Sequence, residues 1–433
     1  MTPVLDASLS RLRAGAASSR RQLRAVGASL SQLDTDRAVG PTVGAAVVFD
    51  ALVYASVRYA PEYLRLLGTS PVAIGLFGSV GIAVSRLGAR RSGGPSRWLA
   101  AGLAALGLFC WTVAGAVGGA AVLLVAGTVL VGPWCADSAD RLGRSVTERG
   151  YSGYHLTPVD GRSGVAIFGM LVVTVVLAAG TVLAGLRVAM ALATTFGVAV
   201  TVAAVVEDPP RLDAVGAIGL PSLPTAVPKP HLVPGRLVAA VRAVPAGARA
   251  LVFGSTLVTM APAAVSVFVV VTVTTTLDPS LTVAGAQLGS AAAFGLLLST
   301  ELVVGAASYR FGDALERWLG SKPLAIWGLF VSATFPLLLV GVAPEFTSFV
   351  VLFALYGTRF GAVAARQRLL ADAVPDTAGR TLPATTRTVR DAMVVVAPAI
   401  GGVLYGASPT LAFGAATTVG AVGLREYVRA CYL

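Results

Sequence analysis

The chain has 433 residues, of which 55% are hydrophobic and only 12% charged, and its mean hydropathy is +0.79. No soluble globule of this length could hide so much apolar surface in one core, so a soluble enzyme or binding domain is excluded and a polytopic membrane protein is indicated. The formal charge of +12 does not point to nucleic acid, because the basic residues are spread along short polar segments with no aromatic residues interleaved for base stacking.

Residues 1–41 hold no apolar run long enough for a signal peptide. Leu9, Leu12, Ala16, Leu23, Val26, Leu30 and Leu33 recur at helical steps, with Arg11, Arg13, Arg20, Arg21 and Arg24 among the polar positions. This predicts a basic amphipathic arm in the cytoplasm, either lying on anionic membrane lipids or solvated. Twelve apolar runs follow, at 42–60, 71–86, 97–117, 119–136, 163–181, 184–205, 250–275, 284–308, 324–343, 347–366, 390–405 and 409–424. Most approach the ~20 residues that cross a hydrocarbon core of ~30 Å, and they are numbered here as spans 1 to 12. Between spans 6 and 7, residues 207–249 carry Pro209, Pro210, Pro221, Pro224, Pro228, Pro230 and Pro234, which predicts an extended cytoplasmic linker with one short helix near 236–243. The expected fold is all-α: an N-terminal six-helix bundle over 42–206 and a C-terminal one over 250–433 that ends in a short cytoplasmic tail.

The basic residues give the orientation. With both termini in the cytoplasm, 30 of the 33 Lys and Arg residues fall on that side, leaving Arg58, Arg65 and Arg187 outside. Shifting the count by one span would reverse the bias, so the even number of crossings is supported independently of hydropathy. The two halves also echo each other: Ala136-Asp137 before Gly143-Arg144 follows span 4, and Ala371-Asp372 before Gly379-Arg380 follows span 10. Repetition at half length is the architecture of many secondary transporters.

A charge at bilayer depth costs at least about 2.5–3.5 kcal/mol on insertion scales, so each one needs an interior position or a partner. Asp50, Tyr54 and Arg58 in span 1 stand at i, i+4 and i+8, within an arc of about 80° on one helical face that is expected to line a cavity. Glu301 in span 8 shares a face with Ser290 and Gln287, and Arg359 in span 10 follows Tyr356 by three residues. Asp50 and Glu301 are candidates for proton or cation coupling, and Arg359 for a counter-ion or anion-binding group. The competing structural readings are an Asp50–arginine pair, Glu301 capping a neighbouring helix, and Arg359 snorkelling to the cytoplasm. Ser255, Thr256, Thr259 and Met260 in span 7 could add neutral contacts, although interhelical hydrogen bonds are the more common use of such residues. Cys110, Cys135 and Cys431 lie far apart, and His155 and His231 sit in separate loops, so no disulfide, metal site or cofactor is expected.

Three motifs carry a resemblance. After span 2, Gly81, Arg86, Gly88, Arg90 and Arg91 match G-x-x-x-D-R-x-G-R-R/K, with Ser85 in place of the aspartate. After span 8, a degenerate copy has Gly312, Glu316, Arg317, Gly320 and Lys322. The third runs from Arg387, Arg390 and Asp391 through Ala397-Pro398-Ala399-Ile400-Gly401-Gly402 to Tyr405, Ser408 and Pro409, with small residues that permit close helix packing. With the six-plus-six topology, these features resemble the prokaryotic transporters of the major facilitator superfamily. The resemblance implies a permease rather than an enzyme, acting as a monomer on a small-molecule substrate, with protons as one coupling option and the first two loops as cytoplasmic gates. Span 4 lacks the arginine, and span 5 the G-x-x-x-G-P pattern, of the family's proton-coupled drug exporters. A transporter-derived sensor or accessory subunit is the alternative.

Overall fold

The computed structural model describes residues 41–89, 97–118, 120–147, 162–178, 181–207, 246–276, 282–283, 286–373 and 384–432. Each of the twelve apolar runs overlaps a helix among the described residues. The first six are α1 (Pro41–Leu66), α2 (Pro71–Ala89), α3 (Arg97–Ala116), α4 (Ala121–Thr147), α5 (Arg162–Ala178) and α6 (Val182–Glu207). The second group is α7 (Ala246–Thr276), α8 (Ser290–Arg310), α9 (Gly312–Leu319), α10 (Ser321–Gly341), α11 (Phe346–Gly357), α12 (Val363–Ala373), α13 (Ala384–Ala407) and α14 (Pro409–Tyr432). Such runs become helices because lipid offers no hydrogen-bond partner, and a helix satisfies every backbone group within itself. Seven helices are long and apolar enough to cross a membrane, and three shorter apolar segments lie at Pro71–Ser85, Ala121–Gly132 and Ala166–Ala178. α1 and α14 belong to neither group; α1 carries the charged side chains Asp50, Arg58, Glu62 and Arg65, and α14 carries Arg425, Glu426 and Arg429.

The helices differ from the apolar runs mainly at their ends. α1 continues past residue 60 to Leu66 and α14 past 424 to Tyr432, since backbone hydrogen bonding does not stop where side chains become polar. At Arg65 the polar end is held by Glu62, whose two oxygens accept from the guanidinium at 2.7 and 2.8 Å. Span 8 starts later than its apolar run. Thr282–Val283 and Ala286–Gln287 pair as a two-residue hairpin, so Gln287 lies in a strand and not on the helical face of Glu301. The second gating loop is largely helical: α9 follows Phe311, exposes Phe311, Trp318 and Leu319, and ends at Gly320, whose φ of +88° lets the chain reverse into α10. The arm at 1–40 and the linker from 208 to 245, with its expected helix near 236–243, lie outside the described residues.

Packing is extensive both within each half and between the halves. α3 packs on α4 and α6, α1 on α5 and α6, and α2 on α4; in the second half α7 packs on α13 and α14, α10 on α14, and α8 on α11. The halves meet where α2 packs on α13, α5 on α8 and α1 on α7. One buried apolar cluster joins both, including Tyr59, Tyr63 and Met170 from the first half and Phe268, Phe294 and Phe353 from the second. A second, with Leu251, Leu324, Leu329 and Tyr427, belongs to the C-terminal half alone.

Among the described residues, hydrogen bonds join the halves in the part of the molecule towards which α1 finishes and α8 begins. The Tyr59 hydroxyl donates to the Ala291 carbonyl at 2.7 Å, and the Ala399 amide donates to Ser79 Oγ at 3.1 Å. The C-terminal-half cluster lies at the opposite end, where α7 and α10 start and α14 finishes.

Candidate functional site

Span 10 is broken, and the break builds the site. Between α11 and α12, residues Thr358–Ala362 wind as a 3-10 turn. Gly357 and Gly361 weaken the helix here, and two side chains compete for its carbonyls: Thr358 Oγ1 donates to Leu355 O at 2.6 Å and Arg359 Nη1 to Tyr356 O at 2.6 Å. The glycines also admit α8. A Cβ at Gly357 would stand 2.7 Å from the Glu301 carbonyl oxygen, and one at Gly361 2.9 Å from that of Ser308.

This close approach brings Arg359 to Glu301. Its Nη2 donates to Glu301 Oε1 at 2.7 Å, and the pair is largely shielded, with 19% and 11% of the side chains exposed. The guanidinium carbon lies 3.4 Å over the ring of Tyr356 and 4.3 Å over that of Phe360. Phe335 stacks on Tyr356 with ring centres 3.7 Å apart. Arg359 is thus fixed by a carboxylate, a carbonyl and two aromatic faces, rather than snorkelling out of the bilayer.

Arg58 reaches the same place from the first half. It lines a cavity together with Glu301, Tyr356 and Arg359, and about 540 Å³ of atom-free space lies within it and its mouth. The rest of the wall is mainly apolar, with Phe294, Phe335 and Phe353, and Ser266 adds a hydroxyl. The Arg58 guanidinium sits 5.3 Å from the centre of the Tyr54 ring. Asp50 does not line this cavity; it accepts a 3.0 Å hydrogen bond from Trp134 Nε1 on α4. A drift of about 80° over eight residues suffices to turn one end of the row towards the other half and the other end towards α4.

The span 7 hydroxyls bond within their own helix: Ser255 and Thr256 donate to Val252 O at 3.0 and 2.7 Å, and Thr259 to Ser255 O at 2.7 Å. Their protons are therefore spent along α7 and not on bonds to a neighbouring helix. Of the gating candidates, Gly81 lies in α2, Arg86 and Gly88 belong to its last turn, and Arg90 and Arg91 lie outside the described residues. Ser85 donates to Ile82 O at 3.0 Å. In the second motif, Glu316 accepts from Ser321 at 2.6 Å and pairs with Arg368 at 3.0 Å, while Lys322 donates to the Cys431 carbonyl at 2.5 Å. Arg368 also pairs with Asp313 at 2.9 Å. These contacts tie α9 to α10 and α12, and α10 to α14, all within the C-terminal half. Arg317 lies on α9 and Arg387 in the first turn of α13. Arg390 lies 3.7 Å from the carboxylate of its neighbour Asp391, which is buried.

Trp134, Phe335 and Arg368 could not be picked out from the sequence, because nothing in their local spacing marks them. Among the described residues, no group of three or more His, Cys, Asp or Glu side chains converges as a metal site would require.

No protein-family model matches this chain, and no curated protein matches it in sequence. Solved structures do. A mutant of the nucleoside transporter NupG is 11% identical and aligns with a TM-score of 0.59 over 90% of this chain and 97% of its own. The peptide transporter POT in complex with sulfate is 16% identical, with a TM-score of 0.57 over 90% of this chain and 94% of its own. A POT family transporter in complex with 5-aminolevulinic acid is 13% identical, with a TM-score of 0.55 over 89% and 95%. Similarity at this level of identity establishes the fold, and with the apolar helices it shows a multi-pass membrane protein with the fold of the major facilitator superfamily.

Proposed function

We propose that this chain is a secondary active transporter, moving a small solute across the cytoplasmic membrane by alternating access. Its twelve spans would form two pseudo-symmetric six-helix bundles, acting as a monomer with both termini in the cytoplasm. One observation carries the reading: a cavity holding three charged side chains lies where the halves meet, and its charges come from both, Arg58 from the first and Glu301 and Arg359 from the second. Residues shared in this way would separate and regroup if the halves rocked about the cavity.

Uptake into proteoliposomes tests this, using radiolabelled nucleosides, short peptides and organic acids with and without an imposed pH gradient. The first two classes are included because the structural neighbours are nucleoside and peptide transporters. Accumulation of at least one class above empty vesicles is expected. Failure across the panel would favour a transporter-derived sensor. Proton coupling is tested by two variants: Glu301→Gln is expected to abolish gradient-driven accumulation while exchange continues, whereas Asp50→Asn keeps an oxygen acceptor for Trp134 and is expected to retain both. Loss of accumulation in Asp50→Asn alone would move the coupling role to α1.

Orientation is tested separately. Reporters fused after Leu433 and inserted near Pro221 are both expected to be active in the cytoplasm, and activity of either on the outer face would overturn the twelve-span topology.

A further inference from the structure

The cavity carries one positive charge more than it neutralises. Arg359 is matched by Glu301 at 2.7 Å. Arg58 forms no ion pair among the described residues; it meets the ring of Tyr54, and Glu301, already paired with Arg359, lies within electrostatic range of it. The carboxylates nearest to it along α1 are engaged elsewhere: Glu62, one turn on, holds Arg65 through two hydrogen bonds, and Asp50, two turns back, accepts from Trp134. Despite its position deep in α1, Arg58 remains exposed, because its side chain projects into the cavity.

A guanidinium presents its donors as a rigid fork that matches a carboxylate in two parallel hydrogen bonds. The cavity wall also carries the aromatic side chains of Phe294, Phe335, Phe353 and Tyr356. From these features we propose that the cavity binds a small organic monoanion, a carboxylate carried on a planar apolar body, with the carboxylate on Arg58 and the body against the aromatic wall. One surplus charge selects one negative charge: a neutral ligand leaves Arg58 unmatched, a cation adds repulsion, and a phosphate dianion brings more charge than Arg58 offsets. Treating this ligand as cargo rests on the transporter reading of the same site; its binding does not.

The test is thermal unfolding and calorimetric titration of the purified full chain with benzoate, benzamide, benzylammonium and phenyl phosphate at matched ionic strength. Benzoate is expected to raise the unfolding temperature, phenyl phosphate to raise it less, and benzamide and benzylammonium to leave it unchanged. Arg58→Gln is expected to abolish the benzoate shift, and Arg58→Lys, which keeps the charge but loses the fork, to weaken benzoate binding by about tenfold. If Arg58→Gln does not fold, the Arg58→Lys titration decides. Equal shifts from benzoate and benzamide, tighter binding of phenyl phosphate, no shift from either anion, or unweakened benzoate binding in Arg58→Lys would overturn the proposal. Uptake separates the two readings: benzoate bound while no class of the panel is moved removes the transporter and keeps the ligand class, whereas uptake of a neutral solute that is indifferent to Arg58→Gln does the reverse.

Discussion

Glu301→Ala is expected to destabilise the protein by about 3 kcal/mol, the low end of what removing one partner of a buried ion pair costs, because the cavity lets some water reach what remains. The loss comes from Arg359. Its guanidinium stays pinned over Tyr356 by its bond to the Tyr356 carbonyl, now with an unmatched charge. Glu301→Gln keeps one oxygen acceptor for Nη2 and is expected to cost roughly 1 kcal/mol. The double replacement Glu301→Leu with Arg359→Met removes both charges and should recover most of the loss, since an ion pair exchanged for well-packed apolar residues is often neutral in stability. Thermal unfolding of these variants, with the single replacements Glu301→Leu and Arg359→Met, beside the wild type in detergent gives the coupling between the two positions. Wild-type stability in Glu301→Ala, or a double variant no better than the single one, would show that the 2.7 Å pair does not hold α8 to span 10.

The second large effect is expected at the joint between α2 and α13. A Cβ at Gly75 would strike the Pro398 carbonyl oxygen and come within 2.9 Å of Gly402 Cα; one at Gly402 would stand 2.7 Å from the Pro71 carbonyl oxygen and 3.0 Å from Gly75 Cα. These neighbours are backbone atoms and cannot swing aside, so Gly75→Val or Gly402→Val must push the halves apart at this end. Each half keeps its own internal packing, so both variants should fold, while transport is expected to fall by more than about tenfold. Gly414→Val on α14, where an added Cβ meets nothing within 4 Å, is the matched control. A cysteine at Ser79, whose hydroxyl accepts from the Ala399 amide across the joint, reports the opening. It should react faster with a membrane-impermeant maleimide when Gly402 is valine. Unchanged labelling together with unchanged transport would mean that this joint does not gate the cavity. Gly401→Val should behave differently, because its added Cβ would strike the Ala264 carbonyl oxygen within the C-terminal half and damage folding there.

Much of this architecture could be read from the chain alone. Each apolar run overlaps a helix among the described residues because transfer into lipid and the i to i−4 hydrogen bond are both local properties, decided within a few residues. The same locality explains the errors at helix ends, where hydropathy reports the lipid-facing stretch and backbone hydrogen bonding continues beyond it, as at Leu66 and Tyr432. The scarcity of charge in an apolar chain also singled out Asp50, Arg58, Glu301 and Arg359, of which all but Asp50 line the cavity, since a buried ionisable group needs a purpose or a partner. Small residues around Gly401 and Gly402 signalled close packing without saying against what.

Which groups meet was decided by tertiary structure. Glu301 and Arg359 stand 58 residues apart, and Asp50 and Trp134 84 apart, so their pairing depends on how each helix is rotated about its axis. That rotation is set by side chains packing between helices, and sequence spacing does not encode it. The break at Thr358–Ala362 has no proline to announce it, and arises where glycines admit α8 and side chains take up backbone carbonyls. The sequence determined that this chain makes helices for a membrane and that a few charges must lie among them, because burial energies and helix bonds act locally. Only the tertiary structure decided that, among the described residues, Arg58 is left without a carboxylate while Arg359 has one, because charge balance in a cavity depends on which helix faces meet there.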